Sequence, residues 1–172
     1  MHTWRADLAT GQFLLSPGAR RLHGFDSGDA VVSAGDVLAR IHPHDRERAA
    51  AQLAAAADSD CQGIEYRMQA ADGSVRWLAV TATRLRGADG MPRNELIGTV
   101  WDVTERKATE SALTAVYEVS PLLMGVIELL EDGDMRHVYD NPATCRFFGL
   151  QPGTSAGKRA SELGVAPGVI DM

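Results

Sequence analysis

Apolar and polar positions alternate with a period of two along several short stretches of this chain, and between them the period changes to that of helices. The first stretch, "HTWRADLATGQFLLS", predicts a β-hairpin turning at Thr10-Gly11, between "WRADL" and "QFLLS". "PGARRLHGF" predicts a short helical turn opened by Pro17 and closed by Gly24. "SAGDVLARI" predicts a second short helix, with Ser33 as N-cap and Val37, Leu38 and Ile41 on its apolar side. "HDRERAAAQLAAAADS" is strongly helical in propensity, and Asp45 and Glu47 near its start suit the positive end of the helix dipole. Three strands follow: "CQGIEYRMQA", then across "ADG" "SVRWLAVTATRLR", then across "GADGMPRN" "ELIGTVWDV". Runs of strands separated from runs of helices predict an α+β domain on an antiparallel sheet.

The last of these strands runs straight into a polar helix. Leu96 and Val100 fall on one face, Ile97, Trp101 and Val103 on the other, so both faces are apolar. One face can cover the core under the helices. The other also needs a cover, for which a helix of the same or a partner chain is the natural candidate. Thr104 is placed to cap the new helix, with Glu105 in its first turn. Asp102 is polar within an apolar strand and requires a partner at the joint. The helix over 105–119 carries Ala108, Ala112, Ala115, Val116 and Val119 on one broad face, apolar but small-sided, which predicts packing against another helix.

After Ser120-Pro121 the pattern begins again. "LLMGVIELLEDGDMRHVYDN" reads as strand, turn and strand, "NPATCRFFGL" as a short helix, and "GKRASELG" as a further helical piece. "LLSPGARRLHGF" and "VYDNPATCRFFGL" share the order strand, proline, short helix, glycine, a weak repeat with a period of about a hundred residues or more, too long for a solenoid. The second copy has no counterpart of the last three strands.

In this order and spacing, "WRADLATGQFLLS", "RRLHGF", "IHPHDRERA", "EYRMQAADGSVRWL" and "GTVWDVTERKATESAL" resemble the PAS family, a PAS domain followed by its C-terminal PAC segment, over about residues 4–113. Residues 122–163 resemble the first half of a second PAS domain. The resemblance implies a five-stranded antiparallel sheet with short helices on one face. It also implies a pocket between them for a haem, flavin or small metabolite, and a signal leaving through the last strand into a helix that pairs in a dimer. Three parts are expected: a PAS/PAC sensory domain over 1–104, a signalling linker helix over 105–120 and a partial second PAS domain over 121–172. A half domain leaves an open sheet edge, with disorder, swapping or docking on a neighbour as the alternatives. By similarity, Asp102, Thr104 and Glu105 relay strain from sheet to helix, while Tyr66, Met68, Trp77, Leu38 and Ile41 are candidates to line the pocket or simply fill the core.

Composition and charge narrow the function classes. The chain is 45% apolar and 23% charged, ordinary for a folded soluble domain, and its net charge of −6 with scattered basic residues argues against nucleic-acid binding. No apolar run approaches the ~20 residues of a membrane span, and two distant cysteines without metal-type spacing suit a reducing cytoplasm. His42, His44 and Asp45 form a possible metal cluster, but Pro43 and the helix start set the two rings to diverge. His23, His42 and His44 lie near helix ends, poorly placed for a haem ligand. "TCRFFG" resembles the motif of the photoactive cysteine of LOV domains out of register: that position falls on Ala160, and Cys145 reads as a buried small hydrophobe. Glu65 and Arg67, on the opposite strand face from Tyr66, could pair across strands with Arg76 at small energetic gain. "GTSAGK" lacks phosphate-loop spacing, and no catalytic constellation is visible. The expectation is a non-enzymatic, cytoplasmic sensory and dimerisation module of a larger bacterial signalling protein, most plainly a sensor histidine kinase of a two-component system. No cofactor, metal or nucleic acid is assigned. The expected partners are a second copy and an output domain, kinase or cyclase, in the same parent protein. The second reading is a receptor for a small molecule or cofactor, haem or flavin, feeding a diguanylate cyclase or other output.

Overall fold

A computed structural model describes residues 1–25, 30–56, 61–69 and 73–164, with the backbone alone at Cys61 and Gln62. The expected "ADG" turn at 71–73 and the end of the alanine-rich helix lie largely outside the described residues. The chain divides into two compact units, Met1–Lys107 and Ala108–Met172.

In the first unit, strands β1 (His2–Asp7) and β2 (Gln12–Leu15) form the expected hairpin. Helix α1 (Pro17–Leu22) has Pro17 in its first turn, and the hydroxyl of its N-cap Ser16 accepts from the Ala19 N–H. It stops at Gly24, whose φ of 71° a side chain would resist. Strand β3 (Val31–Ser33) leads into helix α2 (Ala34–Arg40), where Ser33 and Asp36 form a reciprocal capping box. A 3₁₀ turn over Pro43–Asp45 enters helix α3 (Arg46–Ala55). Strands β4 (Cys61–Gln69), β5 (Val75–Arg86) and β6 (Pro92–Asp102) complete the unit.

The sheet is antiparallel in the order β3-β2-β1-β6-β5-β4. It has six strands rather than the expected five, because the three residues Val31–Ser33 add an edge to β2, a piece too short to show a period of its own. The first and last parts of the unit meet in β1 and β6, where Trp4 lies opposite Gly98. A Cβ at Gly98 would fall 1.9 Å from the Thr81 carbonyl oxygen and 2.5 Å from the Trp4 indole, so the glycine is what lets the tryptophan lie against the sheet. Leu78, Leu96, Val100 and Met68 are fully buried on the inner face, each contributing roughly 1.5–3 kcal/mol. Ala19, Val37, Ile41 and Ala49 of the helical segment cover them. On β6 the alternation is as expected: Leu96 and Val100 face the core, while Ile97 stands exposed on the outer face, in the same row as Leu14 of β2 with Arg5 of β1 between them.

Helix α4 (Thr104–Val119) follows β6 with one residue between. In the second unit, strands β7 (Gly125–Leu129) and β8 (Met135–Asp140) form a two-stranded sheet, followed by helix α5 (Pro142–Phe147) and a 3₁₀ turn over Ser161–Leu163. The repeat is structural as well as sequential. Asn141 caps α5 as Ser16 caps α1. Each helix is closed by the same three backbone bonds: His23 to Ala19, Gly24 to Arg21 and Phe25 to Arg20 in the first unit, Phe148 to Thr144, Gly149 to Arg146 and Leu150 to Cys145 in the second. Counterparts are 125 positions apart throughout (Ser16 and Asn141, Gly24 and Gly149). The difference is on the first strand. β1 lies between β2 and β6, whereas β7 has only β8 beside it among the described residues, and all five of its residues are exposed.

Candidate functional site: inner cavity and strand–helix joint

Two features of the first unit stand out. Between the inner face of the sheet and helices α2 and α3 lies a cavity of about 240 Å³. Leu38 and Ile41 reach it from α2 and its C-cap, Ala49 and Leu53 from α3, Tyr66 from β4, and Phe13 and Leu15 from β2. The lining is almost wholly apolar, with a buried polar pair, His23 and Tyr66. His23 Nδ1 lies 2.8 Å from the Ala19 carbonyl oxygen, and Nε2 lies 3.1 Å from the Tyr66 hydroxyl. Burial holds the imidazole pKa below its ordinary value and pushes the Tyr66 phenol up.

Three of the five pocket candidates therefore line the cavity: Tyr66, Leu38 and Ile41. Met68 does not. It is buried in the core beside Ile41, with which it makes an isolated bridge. Trp77 is on the other side of the sheet. The β4–β5 register sets Tyr66 opposite Leu78 and Arg67 opposite Trp77, so Tyr66 and Leu78 face inward while Arg67 and Trp77 face outward. From sequence His23 reads only as a poorly placed haem ligand. Its place four residues after Ala19, on the buried side of α1, is the signal that points it inward.

The second feature is the joint between β6 and α4. Asp102 Oδ1 accepts from the Thr104 N–H at 2.8 Å, satisfying a free donor at the helix start. The Thr104 hydroxyl accepts from the Trp77 N–H of β5 at 2.9 Å, and the Val103 N–H donates to the Trp77 carbonyl. The expected roles are thus exchanged: Asp102 serves the local cap, and Thr104 ties the helix to the neighbouring strand. Glu105 is exposed.

One turn on, Arg106 and Lys107 both engage Glu65 of β4, Lys107 at 2.8 Å. Lys107 also stands 5.4 Å from the centroid of the Trp77 ring, and Arg67 5.5 Å from it. The hydrogen bond from Lys107, then that from Arg106, holds the Glu65 carboxyl below its ordinary range. Glu65 does not pair with Arg76, because Arg76 lies opposite Met68 and the partners come from α4 instead.

Arg67 forms a bidentate pair with Asp45, both contacts at 2.9 Å, and its backbone N–H donates to the same carboxylate. The guanidinium holds the Asp45 carboxyl far below the usual range. Asp45 makes no side-chain capping hydrogen bond at the start of α3 and reaches Arg48 of its first turn only as an ion pair at 3.7 Å, so its main role is this tertiary one. With Asp45 bound to Arg67, the "IHPHD" run is a structural corner. Its histidine rings do not diverge but lie edge to face, 5.2 Å apart.

On α4, Ala108, Ala112, Ala115, Val116 and Val119 are all exposed, as is Leu113. In the second unit, Cys145 is fully buried, its thiol near the Asp140 carbonyl and the Ser155 hydroxyl, and Ala160 is buried as well. No helix among the described residues is long and apolar enough to cross a membrane.

A cavity enclosed by short helices on a curled antiparallel sheet, with the last strand passing directly into a helix, defines a sensory-type α+β domain. Residues 12–100 match the PAS fold, and the chain belongs to that family. It is 28% identical over 149 residues to the blue-light-activated histidine kinases of Brucella ovis and Brucella melitensis, a match covering 84% of this chain. The chain spans only 29% of the length of those relatives. A sensory box histidine kinase/response regulator from Burkholderia thailandensis superposes with a TM-score of 0.55 at 29% identity, covering 66% of this chain and 85% of that one. The N-terminal domain of a diguanylate cyclase with PAS/PAC sensor from Marinobacter aquaeolei shares the fold, with a TM-score of 0.53 at 24% identity over 61% of this chain and 96% of that one.

Proposed function

We propose that the chain is the sensory and dimerisation module of a larger cytoplasmic signalling protein, a sensor histidine kinase, and that the β6–α4 joint is its output. The observation that carries this reading is the triple attachment of the first turn of α4 to the sheet: Asp102 to Thr104, Thr104 to the Trp77 backbone, and Glu65 to Arg106 and Lys107. A strand that shifts along β5 must carry those bonds with it, so a change in the sheet becomes a change in the direction or register of α4. Packed helix pairs switch between discrete arrangements, and a small displacement suffices. The exposed Ala108, Ala112, Ala115, Val116 and Val119 are the surface through which α4 pairs with a second copy. Residues 121–172 begin a second domain of the same kind, as the matching cap and closure of α1 and α5 support. The kinase identity rests on the named relatives, and a cyclase output is the alternative they leave.

The test is Asp102→Ala and Thr104→Ala in the full-length parent, with autophosphorylation followed with and without stimulus. Removing the Thr104 hydroxyl leaves the Trp77 N–H without its acceptor, a loss of about 1–2 kcal/mol. That is small enough to leave the first unit folded while uncoupling stimulus from output. Ordinary signalling in both variants sinks the relay.

A further inference from the structure

The open sheet of the first unit has two edges, β3 and β4, and an edge presents N–H and C=O groups that a strand of another molecule can pair with. The β3 edge is blunt because that strand is only three residues long. Strand β4 is nine residues long. After the register shift between Cys61 and Ile64, its pairing with β5 is regular from Ile64 to Gln69, a run without proline, glycine or lysine to discourage a partner.

The ladder fixes which groups of β4 face outward. The Trp77 N–H and carbonyl turn away from β4, toward Thr104 and Val103. Its partner Arg67 therefore sits in a non-hydrogen-bonded pair and turns its own main-chain groups to the open side. Glu65, two residues back, does the same. One short run of chain meets them. The His42 N–H donates to the Arg67 carbonyl at 2.8 Å, the Arg67 N–H donates to Asp45 Oδ2 at 2.9 Å, and Arg48 Nη2 donates to the Glu65 carbonyl at 2.9 Å. Ile41 forms an antiparallel bridge with Met68 beside them. The corner thus imitates a neighbouring strand, with a carboxylate in place of a strand carbonyl and a guanidinium in place of a strand N–H. It offers no strand for a further molecule to extend, because the chain passes at once into the 3₁₀ turn and α3.

We propose that the corner over His42–Arg48 is an edge guard fastened by Asp45, and that it keeps β4 from pairing with β4 of a second copy. The excluded partner is a second copy because the edge is self-complementary in charge. Two β4 strands antiparallel about Tyr66 set Glu65 of each opposite Arg67 of the other, and these are the residues whose outward groups such a pair exchanges. Opposite charges directly across two strands favour pairing. An Arg67 side chain released from Asp45 meets a carboxylate again in that arrangement. The guard lies wholly within the first unit and stands or falls independently of the relay at Asp102 and Thr104.

Asp45→Ala and Arg67→Ala separate guarding from stability. Both break the ion pair, but Arg67→Ala leaves the residue-67 N–H on Asp45, whereas Asp45→Ala leaves it bare. Amide exchange and sedimentation velocity of the 172-residue chain, from micromolar to near-millimolar concentration, read the two effects. In dilute Asp45→Ala the residue-67 amide should exchange at least about tenfold faster than in the parent chain. Protection should return as concentration rises, together with species larger than any the parent forms. Arg67→Ala should keep its protection at residue 67 throughout and sediment like the parent. Arg48→Ala, at a half-exposed side chain, bares the Glu65 carbonyl with little risk to the fold and should associate in the same way at higher concentration. Equal association of Asp45→Ala and Arg67→Ala would tie it to lost stability and overturn the guard. Asp45→Ala and Arg48→Ala both sedimenting like the parent, or associating without renewed protection at residue 67, would overturn β4 as the guarded surface.

Discussion

Replacing Asp45 by alanine should destabilise the first unit through a contact more than twenty residues distant in sequence. The Asp45 side chain is 8% exposed and accepts three hydrogen bonds from Arg67: from the backbone N–H, Nε and Nη2, each at 2.9 Å. Removing one partner of a buried ion pair costs about 3–5 kcal/mol. Here the Arg67 side chain is 30% exposed and water can reach the abandoned guanidinium, which places the loss nearer ~2–3 kcal/mol. With a urea slope of about 1.5 kcal/mol per molar, the midpoint should fall by roughly 1.5 M.

The pH dependence has a definite sign. The folded Asp45 pKa is depressed by its bonds to Arg67, and a carboxylate in an unfolded chain titrates near 3.9. Its stabilisation is therefore fully present above that value and is lost as pH falls toward the folded pKa. Urea titrations of parent and Asp45→Ala at pH 7, 5 and 3 should show the largest gap at pH 7 and a narrower one at pH 3. A gap below about 0.3 M at pH 7, or one of unchanged size at pH 3, would refute the ion-pair account. Because Arg67 also stands over Trp77, the variant should shift tryptophan emission before unfolding begins.

Two further outcomes are expected. Asn141 is fully buried, its carboxamide accepting from the Met124 and Thr144 N–H groups and donating to the Leu122 and Tyr117 carbonyls. Asn141→Ala should cost the second unit ~3 kcal/mol and speed amide exchange around the strand start at Met124 and in α5. Unchanged protection there would show that Asn141 is a passive cap. Val116→Lys, at an exposed position on α4, should leave the urea midpoint of the chain within error and lower dimer affinity at least tenfold in sedimentation equilibrium. An unaltered dimer would place the interface elsewhere.

Much of the secondary structure was legible because its signals are local. The cap at Ser33, Pro17 before Gly24 and the alternation through Leu96 and Val100 each involve residues a few positions apart, and each is realised as expected. The likeness of α1 and α5 was visible as a weak repeat for the same reason, and the structure sets its offset at 125 residues. The three-residue β3 was not, because a strand that short carries no period. Trp77 reads from sequence as pocket lining or core because its hydrophobicity is plain there. Its face of the sheet depends on pairing with Arg67, and a shift of one residue would have reversed it.

By itself the sequence determined the kind of fold, the position of the strand-to-helix joint and the residues available there, since patterns of period and capping are written within single turns and strands. Only the tertiary structure decided what those residues do. Thr104 reaches Trp77, Glu65 takes Arg106 and Lys107 rather than Arg76, Asp45 leaves its own helix for Arg67, and His23 meets Tyr66 at the wall of a cavity. Each of these contacts joins residues 20 or more positions apart. Register, crossing and burial bring such residues together, and no local pattern records them.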